Sequence, residues 1–382
     1  MRILYVCNEY PPGVHGGIGS FTRDIAEAMF SKGHQVTIWG VYSGLNESIS
    51  EVINGIQVLR EAGLEANGRF GSIRYRWVFQ RLLKQYLKKN EFDIVECQEW
   101  LGLLPFSLNH KGFVVRLHGA AIFFDKLLER KGNRLAHWFE KQMLANSKNL
   151  IAVSDYCGAE TLKICGLESK SYKVVYNAVD IEKLQKYQSE EFNLFKIVFA
   201  NSVLRKKGVF ELVESFNLVA EKFPLAELHI IGKLGYSEQG VNIKNLLEDK
   251  VSSDYRDRLK IRGWLDSADD VYKELSSAHV CVYPSHMEGF GIAPVEPMAL
   301  GKPVLFMKNG PGKEVIEDEL TGLLIDSFSP SDIAEKIIRV FEDNKIVERC
   351  KIEGPKRVRN LFDKNGVFAE NNLDFYKGIL ND

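Results

Sequence analysis

The sequence predicts an α/β protein built from two Rossmann-like domains, each with a parallel sheet. Three observations support this prediction. Short runs rich in Val and Ile alternate with longer amphipathic stretches, the strand candidates are apolar almost throughout, and the pattern starts again at Phe195. Strands that helices cover on both faces are apolar along their whole length, which is typical of parallel sheets. The 382 residues are enough for two domains of ordinary size.

The strand candidates follow one another at intervals that leave room for a helix between most of them. Those of the first half are, in chain order, MRILYVC, HQVTIWG, GIQVLR, FDIVEC, GFVVRLHG, NLIAVSD and YKVVYN. Those of the second half are FKIVFAN, AELHIIG, LKIRGW, HVCVYP, KPVLFMK and TGLLID.

A polar segment, EKLQKYQSEEFN, separates the two halves and is predicted to link them. We therefore expect domains at residues 1–183 and 194–362, followed by a helical segment at 363–382. The sequence carries no signal for where that last segment docks. Ligands of open parallel sheets bind beyond the carboxyl ends of the strands, so we expect the sheets to face a cleft between the domains.

The charge balance excludes a global affinity for nucleic acid. There are 50 basic and 51 acidic residues, with a formal net charge of -1, so any basic function must be local. No cysteine pair has CxxC spacing, which favours reduced thiols in a cytoplasmic protein. The apolar start is broken by Asn8 and Glu9 and is not typical of a signal peptide. No apolar run approaches the ~20 residues that span a bilayer.

A glycine cluster, PPGVHGGIGSF, lies between the first strand and a predicted helix that Ser20 could cap. Free N–H groups at a helix start attract anions. A dinucleotide fingerprint requires a third glycine where Thr22 stands, and an acidic residue after the second strand where Val41 and Tyr42 stand. The nicotinamide interpretation therefore fails, and a tight turn and an anion-binding loop of another kind remain open.

Two glutamates eight positions apart, Glu288 and Glu296, mark the most specific segment of the chain. Glu288 follows a buried strand, and Gly289 and Gly291 allow backbone amides to approach a ligand closely. Carboxylates beside such amides suit hydroxyl-rich ligands, because they accept strong hydrogen bonds from O–H groups. A solvated helix position is the alternative for Glu296.

The segment EGFGIAPVEPMALGKPV strongly resembles the hallmark of glycosyltransferase family 4, whose members are retaining enzymes with the GT-B fold. The resemblance extends over nearly the whole chain, although Ala178 stands where the family has glycine. The further segments that resemble the family are PPGVHGGIG, GHQVTIW, RLHG, VVYNAVDIEKL, LRKKGVFELVESF, HIIGKLG and NGPGKEVIEDELTGLLID.

The resemblance implies a role for individual residues. Glu288 is implied to lie near the donor sugar and His118 to face that sugar, both as catalytic residues. Glu296 is implied to accept hydrogen bonds from the ribose hydroxyls. Lys207 is implied to contact the diphosphate. The family often has an arginine about five residues before that lysine, where this chain has Ser202, and Arg205 could substitute for it.

The remaining implied positions contact the donor through their own backbone atoms or lie beside the nucleotide base of the donor. Gly16 and Gly17 match glycines that approach the diphosphate, and Gly263 and Trp264 lie where the family holds the base. Phe290, Gly291 and Ile292 would present backbone amides to sugar or phosphate. No metal and no cofactor other than the donor is implied, since cations and helix N-termini can meet the phosphate charge.

The function implied is transfer of a hexosyl or N-acetylhexosaminyl group, with retention, from a nucleotide-diphosphate sugar to a hydroxyl acceptor. A UDP-sugar is the expected donor, and a GDP- or ADP-sugar stays open. The expected acceptor is a glycan or a lipid-linked hydroxyl compound in bacterial surface-polysaccharide or glycolipid synthesis. Two alternatives remain open: a sugar-nucleotide epimerase of the same fold, and a non-catalytic nucleotide-sugar-binding protein.

A basic and aromatic segment, RFGSIRYRWVFQRLLKQYLKK, spans residues 69–89 without an acidic residue. Arg74, Arg81 and Lys88 recur every seven positions and so share one helical face. One interpretation is peripheral docking to anionic lipid at the inner face of the membrane. The other is a helix that covers the sheet and has a solvated basic side.

Overall fold

The computed structural model describes residues 1–13, 16–63, 71–106, 108–189, 191–236 and 240–381. The chain divides into two compact units. Unit 1 comprises Met1–Asn177 and Lys364–Asp382, and unit 2 comprises Ala178–Asp363. The polar segment at 182–193 therefore lies in unit 2, and the C-terminal segment returns to unit 1.

Unit 1 has, within its described residues, a sheet of eight strands in the order β3-β4-β2-β1-β5-β6-β7-β8. Every neighbouring pair is parallel except β3 and β4, which form an antiparallel hairpin. Strand β3 was not predicted, because its residues are largely exposed and form no apolar run. The strands are β1 (Arg2–Val6), β2 (Gln35–Tyr42), β3 (Ile49–Ile53), β4 (Ile56–Ala62), β5 (Ile94–Gln98), β6 (Phe113–Leu117), β7 (Asn149–Ala152) and β8 (Lys173–Val174).

The helices of unit 1 cover this sheet with their apolar sides. Helix α1 buries Phe21, Ile25, Ala28 and Met29, as the helical spacing predicts. In α2, Phe79 packs edge-on against Trp39 of β2, with ring centroids 5.3 Å apart. The helices preceding unit 2 are α1 (Gly17–Ser31), α2 (Gly71–Lys89), α3 (Ala121–Leu127), α4 (Arg134–Asn146) and α5 (Asp155–Cys165).

Unit 2 contains a second parallel sheet, with the order β11-β10-β9-β12-β13-β14 in its described residues. Its strands are β9 (Lys196–Ala200), β10 (Glu227–Ile231), β11 (Leu259–Gly263), β12 (Val280–Tyr283), β13 (Val304–Met307) and β14 (Leu323–Ile325). Its helices are α6 (Ile181–Gln185), α7 (Val209–Lys222), α8 (Ile243–Glu248), α9 (Ala268–Ser276), α10 (Val295–Ala299), α11 (Gly312–Val315), α12 (Pro330–Glu342) and α13 (Asn344–Leu361). The predicted pair of parallel-sheet domains is confirmed.

Each sheet has a point at which the strand order reverses. In unit 1 it lies between β1 and β5, and in unit 2 between β9 and β12. Loops that leave neighbouring strands in opposite directions open a crevice there, at the carboxyl ends of the strands. The topology thus directs attention to the residues that follow β1, β5, β9 and β12.

The last helix, α14 (Ala369–Asn381), packs on unit 1 through a buried polar network. The Tyr376 hydroxyl donates to Glu96 Oε2 at 2.6 Å, and Arg116 Nε donates to Glu96 Oε1 at 2.6 Å. Glu96 lies on β5 and Arg116 on β6, so the network joins α14 to two central strands. Within the described ranges, no helix is long and apolar enough to cross a membrane.

Candidate active site

Lys207 and Glu288 form an ion pair at the carboxyl edge of the unit 2 sheet. Lys207 follows β9 and Glu288 follows β12, the two strands at the reversal of strand order. Lys207 Nζ lies 2.6 Å from Glu288 Oε1, which also accepts a hydrogen bond from Ser285 Oγ at 2.8 Å. Both side chains of the ion pair are largely shielded from water, being 15% and 11% exposed. The fold therefore brings together two residues that are 81 positions apart.

The two loops that carry this pair are joined by their backbones. A single helical turn, Arg205–Lys207, ends at Gly208, whose φ is +70°. A Cβ on Gly208 would lie 1.7 Å from the carbonyl oxygen of Pro284, so only glycine allows this approach. The His286 N–H donates to the Lys206 carbonyl at 2.9 Å. The position of Lys207 relative to Glu288 is thus set by backbone contacts.

The glycine loop after Glu288 is shaped by a second close approach. Gly291 has φ +86°, and a Cβ there would lie 2.6 Å from the ring of Phe306. The side chain of Phe290 is buried and packs edge-on against Phe362, with ring centroids 5.5 Å apart. Ile292 is partly exposed. The buried ring leaves the backbone as the part of Phe290 that a ligand could meet.

Arg205 begins the turn that carries Lys207, and Glu296 lies on the helix that follows the Glu288 loop in the chain. Glu296 is half-buried in the first turn of α10, which begins after Pro294. Arg205 is exposed, and its guanidinium lies over the ring of Phe210 at 5.0 Å. Ser202, which stands where the family often has an arginine, is exposed, and its side chain carries no positive charge. Arg205 is therefore an available cation on the same loop as Lys207.

Gly263 and Trp264 lie farther along the sheet. Gly263 ends β11, and both β10 and β9 lie between that strand and β12. Trp264 is 69% exposed, and Gly263 has φ +71° with open space around an added Cβ. A ligand reaching both Trp264 and Glu288 would have to extend across these strands.

In unit 1, His118 follows β6 and is held by a residue that the sequence analysis missed. Its backbone N–H donates to Oε1 of Glu99 at 2.6 Å, and its ring packs edge-on against Phe21 at 4.5 Å. Burial and the neighbouring Arg116 lower the pKa of His118 well below its usual value, so the imidazole is neutral at pH 7. Among the described residues, its Nε2 has no hydrogen-bond partner.

Glu99 is fully buried directly after β5. Burial raises the pKa of its carboxyl to about 8, although backbone N–H groups bond to it. Its Oε2 has no partner among the residues that the structure describes. An acidic residue at the end of a buried strand, as in the run FDIVECQEW, is the signal that could have indicated it.

Glutamine at position 99 should change the pH dependence of stability. The folded protein holds a proton on Glu99 up to about pH 8, whereas the unfolded chain releases it near pH ~4.3. The contribution of Glu99 to the free energy of unfolding is therefore greatest at low pH and declines as the pH rises towards 8. Between about pH 6.5 and 8, above the ordinary pKa of histidine, Glu99→Gln should gain about 1–2 kcal/mol over the wild type.

Urea unfolding at the two pH values measures this gain. Glu91→Gln is the control, because the Glu91 side chain is 97% exposed. A difference between Glu99→Gln and wild type that stays constant across the pH range would contradict a raised pKa at Glu99.

The glycine loop of unit 1 differs from its prediction in how the helix begins. Helix α1 starts at Gly17, so Ser20 lies inside it and is not the cap. The carboxylate of Glu9 instead accepts the Gly19 N–H at 2.7 Å. A Cβ on Gly16 would lie 3.4 Å from that carboxylate, whereas one on Gly17 would meet nothing within 4 Å. Val14 and His15, within the same loop, lie outside the described residues.

A cavity of about 770 Å³ lies elsewhere on unit 2. Its lining includes Tyr187, Asn193 and Ser277, which adjoin the start of β9 rather than its carboxyl end. The candidate ligand site is the carboxyl edge of the sheet rather than this cavity, because ligands of such sheets bind at that edge. In the described ranges, no three His, Cys, Asp or Glu side chains are grouped to hold a metal ion.

Comparisons with known proteins match both units. The family model Glycosyltransferase Family 4 matches residues 15–183, and Glycosyl transferases group 1 matches residues 180–357. An uncharacterized glycosyltransferase of Methanocaldococcus jannaschii is 26% identical over 394 residues, covering 99% of this chain and 98% of the relative.

Solved structures agree on the fold. Sucrose-phosphate synthase of Thermosynechococcus elongatus has a TM-score of 0.79 at 19% identity, covering 100% of this chain and 99% of that one. Anabaena HepE, solved with UDP and glucose, has a TM-score of 0.70 at 17% identity, covering 98% of this chain and 99% of that one. With the family models extending over both units and a glycosyltransferase matching along the whole chain, this protein belongs to glycosyltransferase family 4, with the GT-B fold.

Proposed function

We propose that this glycosyltransferase moves a hexosyl or N-acetylhexosaminyl group from a UDP-sugar to a hydroxyl acceptor, with retention at the anomeric carbon. The observation that carries the proposal is the ion pair of Lys207 and Glu288 at the carboxyl edge of the unit 2 sheet. A cation and an anion at one edge suit a reaction that separates charge. Positive charge develops on the sugar while negative charge develops on the departing diphosphate.

The proposed reaction exchanges one C–O bond for another at the anomeric carbon. The bond to the diphosphate breaks, and the nucleoside diphosphate leaves with its electron pair. The acceptor oxygen bonds to the same face of the sugar, and its proton passes to the leaving phosphate oxygen. Lys207 turns from Glu288 to the diphosphate, and the freed carboxylate of Glu288 balances the positive charge of the sugar.

The other predicted positions complete the donor site in this proposal. The Glu296 carboxylate accepts hydrogen bonds from the ribose hydroxyls. The backbone N–H groups of Phe290, Gly291 and Ile292 donate hydrogen bonds to the sugar or the phosphate. Trp264, beside Gly263, contacts the base.

On unit 1 we propose that the neutral ring of His118 faces the donor sugar and that Gly16 and Gly17 approach the diphosphate. The open space around Gly17 is consistent with such an approach.

We propose that no metal takes part, because Lys207 and the exposed Arg205 supply positive charge for the diphosphate. A UDP donor is supported by the fold shared with HepE, whose structure contains UDP and glucose. A cytoplasmic location is supported by the cysteines, all six of which are buried free thiols. Surface-polysaccharide or glycolipid synthesis is the setting that we propose from the family resemblance.

A thermal-shift panel of UDP-, GDP- and ADP-sugars tests the donor assignment. A UDP-sugar at about 100 times its dissociation constant should stabilise the folded state by about 2.7 kcal/mol. For a unit of this size that corresponds to a rise of roughly 5–10 °C in the unfolding midpoint. EDTA should leave the rise unchanged.

The outcomes separate the alternatives. A rise with a GDP- or ADP-sugar alone would replace the UDP assignment, and no rise with any donor would contradict the proposal. NMR of the product with a hydroxyl acceptor should show the donor's anomeric configuration. Conversion of the nucleotide sugar to its epimer without an acceptor would instead indicate an epimerase.

A further inference from the structure

Unit 1 exposes a set of large apolar side chains that the donor site does not use. Trp77 is 59% exposed, Phe106 53% and Trp138 45%. Single exposed apolar residues are ordinary, but a contiguous patch indicates an interaction surface. The aromatic face is defined here as Ile73, Trp77, Leu101, Phe106, Leu135 and Trp138.

The elements that carry these side chains are in direct contact. Arg76, next to Trp77 on α2, donates to the carbonyls of Leu101 and Gly102 at 3.1 Å each. The Arg76 guanidinium also lies 4.1 Å from the ring centroid of Phe139, the neighbour of Trp138 on α4. Gln80 of α2 donates to the Phe106 carbonyl at 3.0 Å. The three parts of unit 1 that carry the aromatic face, α2, residues 100–106 and α4, therefore adjoin one another.

Basic side chains border the aromatic face on both helices. Arg74, Arg81, Lys84 and Lys88 of α2 are all exposed, at spacings that place them on the side of the helix that carries Ile73 and Trp77. The guanidinium of Arg81 lies 5.5 Å from the Trp77 ring centroid. Helix α2 has no acidic residue to balance these cations.

Helix α4 and the loop before it repeat this composition. Arg130, Lys131, Arg134 and Lys141 are exposed there, and so is Lys126 near the end of α3. The acidic residues of the same stretch offset little of this charge. Asp125 pairs with Arg130 at 3.2 Å, Glu140 is fully buried, and Glu129 alone is exposed. The net charge around the aromatic face is therefore positive.

We propose that the aromatic face and its basic border dock unit 1 on an anionic lipid bilayer. Tryptophan, phenylalanine and isoleucine enter the boundary between headgroups and acyl chains, while Lys and Arg contact anionic headgroups. The prediction for residues 69–89 is thereby extended to α4 and residues 100–106. The extension matters because a solvated basic helix explains the cations but not the exposed tryptophans.

A second copy of this chain fits the surface less well. A symmetric pair would place the same face against itself and would bring the cations of α2 and α4 close to their own copies. Like charges at an interface oppose association. An anionic bilayer complements the same charges.

The docking surface is connected to the active-site residues of unit 1. The turn Trp100–Gly102 follows Glu99 directly. The carboxylate of Glu140 on α4 accepts the N–H groups of Leu101 at 2.9 Å and of Ala121 at 3.0 Å, and Ala121 starts the helix after His118. Resting on the proposed transferase function, we infer that the acceptor hydroxyl is presented by a membrane lipid.

Flotation of the full chain with vesicles tests the docking. We expect binding to phosphatidylcholine vesicles that contain phosphatidylglycerol, and little binding to phosphatidylcholine alone. Trp77→Glu combined with Trp138→Glu should reduce binding at least tenfold. Arg81→Ser and Lys84→Ser should each reduce it about fivefold at low salt, and added salt should weaken the wild type.

Leu218→Glu combined with Leu225→Glu is the matched control, since both leucines are exposed on unit 2, at 45% and 75%. This variant should float like the wild type. The proposal would be overturned if the wild type did not float, or if it floated equally with both lipids. It would also be overturned if the tryptophan changes left vesicle binding unaffected. A soluble dimer that these changes dissociate, without vesicle binding, would assign the face to a second copy. The donor thermal shift is independent of all these results, so failure of docking and failure of the proposed function remain distinguishable.

Discussion

Replacing Glu288 by glutamine should slow sugar transfer about 100- to 1,000-fold, the cost of removing one preorganised electrostatic group. Glutamine preserves the size of the side chain and an oxygen that can accept from Lys207 and Ser285. It removes the negative charge that we propose to balance the sugar in the transition state. The loss should therefore appear in kcat, while donor affinity changes much less.

The measurement is steady-state transfer at saturating donor and acceptor, combined with the donor thermal shift. Glu274→Gln provides a matched control on the same unit. Glu274 is also a largely buried carboxylate that pairs with a lysine, Lys196, at 2.7 Å. That pair adjoins the start of β9, away from the proposed site. Hydrogen bonding to His229 and Lys196, acting against burial, holds the pKa of Glu274 down at about 2, so its loss should lower stability but not kcat.

Two results would refute the catalytic assignment of Glu288. One is a Glu288→Gln enzyme with kcat within about twofold of the wild type. The other is a Glu274→Gln enzyme that loses as much kcat as Glu288→Gln, since the effect would then reflect general weakening of unit 2.

The second large effect is expected from Gly208→Ala. Its φ of +70° is unfavourable for alanine, and the new Cβ would lie 1.7 Å from the Pro284 carbonyl oxygen. Because the two Pro284 atoms nearest to the new Cβ, the carbonyl oxygen and the carbonyl carbon, belong to the backbone, the loops after β9 and β12 must separate. We expect a loss of more than about 3 kcal/mol in the free energy of unfolding, together with a loss of transfer as Lys207 moves from Glu288.

Gly240→Ala isolates the backbone part of this effect. Gly240 has φ +77° in the same unit, but a Cβ there would meet nothing within 4 Å. Its cost should be about 1 kcal/mol, equivalent to about 2–4 °C in the unfolding midpoint. Thermal unfolding of both variants is the measurement. Equal midpoints would show that the contact with Pro284 does not constrain Gly208.

Much of the architecture could be predicted because it depends on local pattern. The strands of both sheets appear as apolar runs, since helices cover them on both faces. Strand β3 was not predicted, because it is an exposed edge strand and its residues form no apolar run. The prediction that Ser20 caps α1 was wrong because the carboxylate of Glu9 takes that role, through a contact between residues ten positions apart.

The candidate site divides in a similar way. Glu288 and Lys207 could be named from short motifs, since a motif is contiguous in the chain. The position of Glu99 at the end of an apolar strand was a local signal, but its raised pKa could not be predicted, because that pKa depends on burial by several elements that are distant in the chain. The aromatic face is likewise hidden in sequence, since Trp77 and Trp138 resemble ordinary core residues until their exposure is known.

The sequence by itself determined the two parallel-sheet domains, the family and the identity of the candidate donor-binding residues. These depend on periodicity and on contiguous motifs, which the chain carries without folding. The tertiary structure alone decided that Lys207 lies 2.6 Å from Glu288, that Glu99 supports the His118 loop and that α2 and α4 share an exposed aromatic face. Such facts depend on which distant segments meet and on which water is excluded, and those are properties of the packed chain.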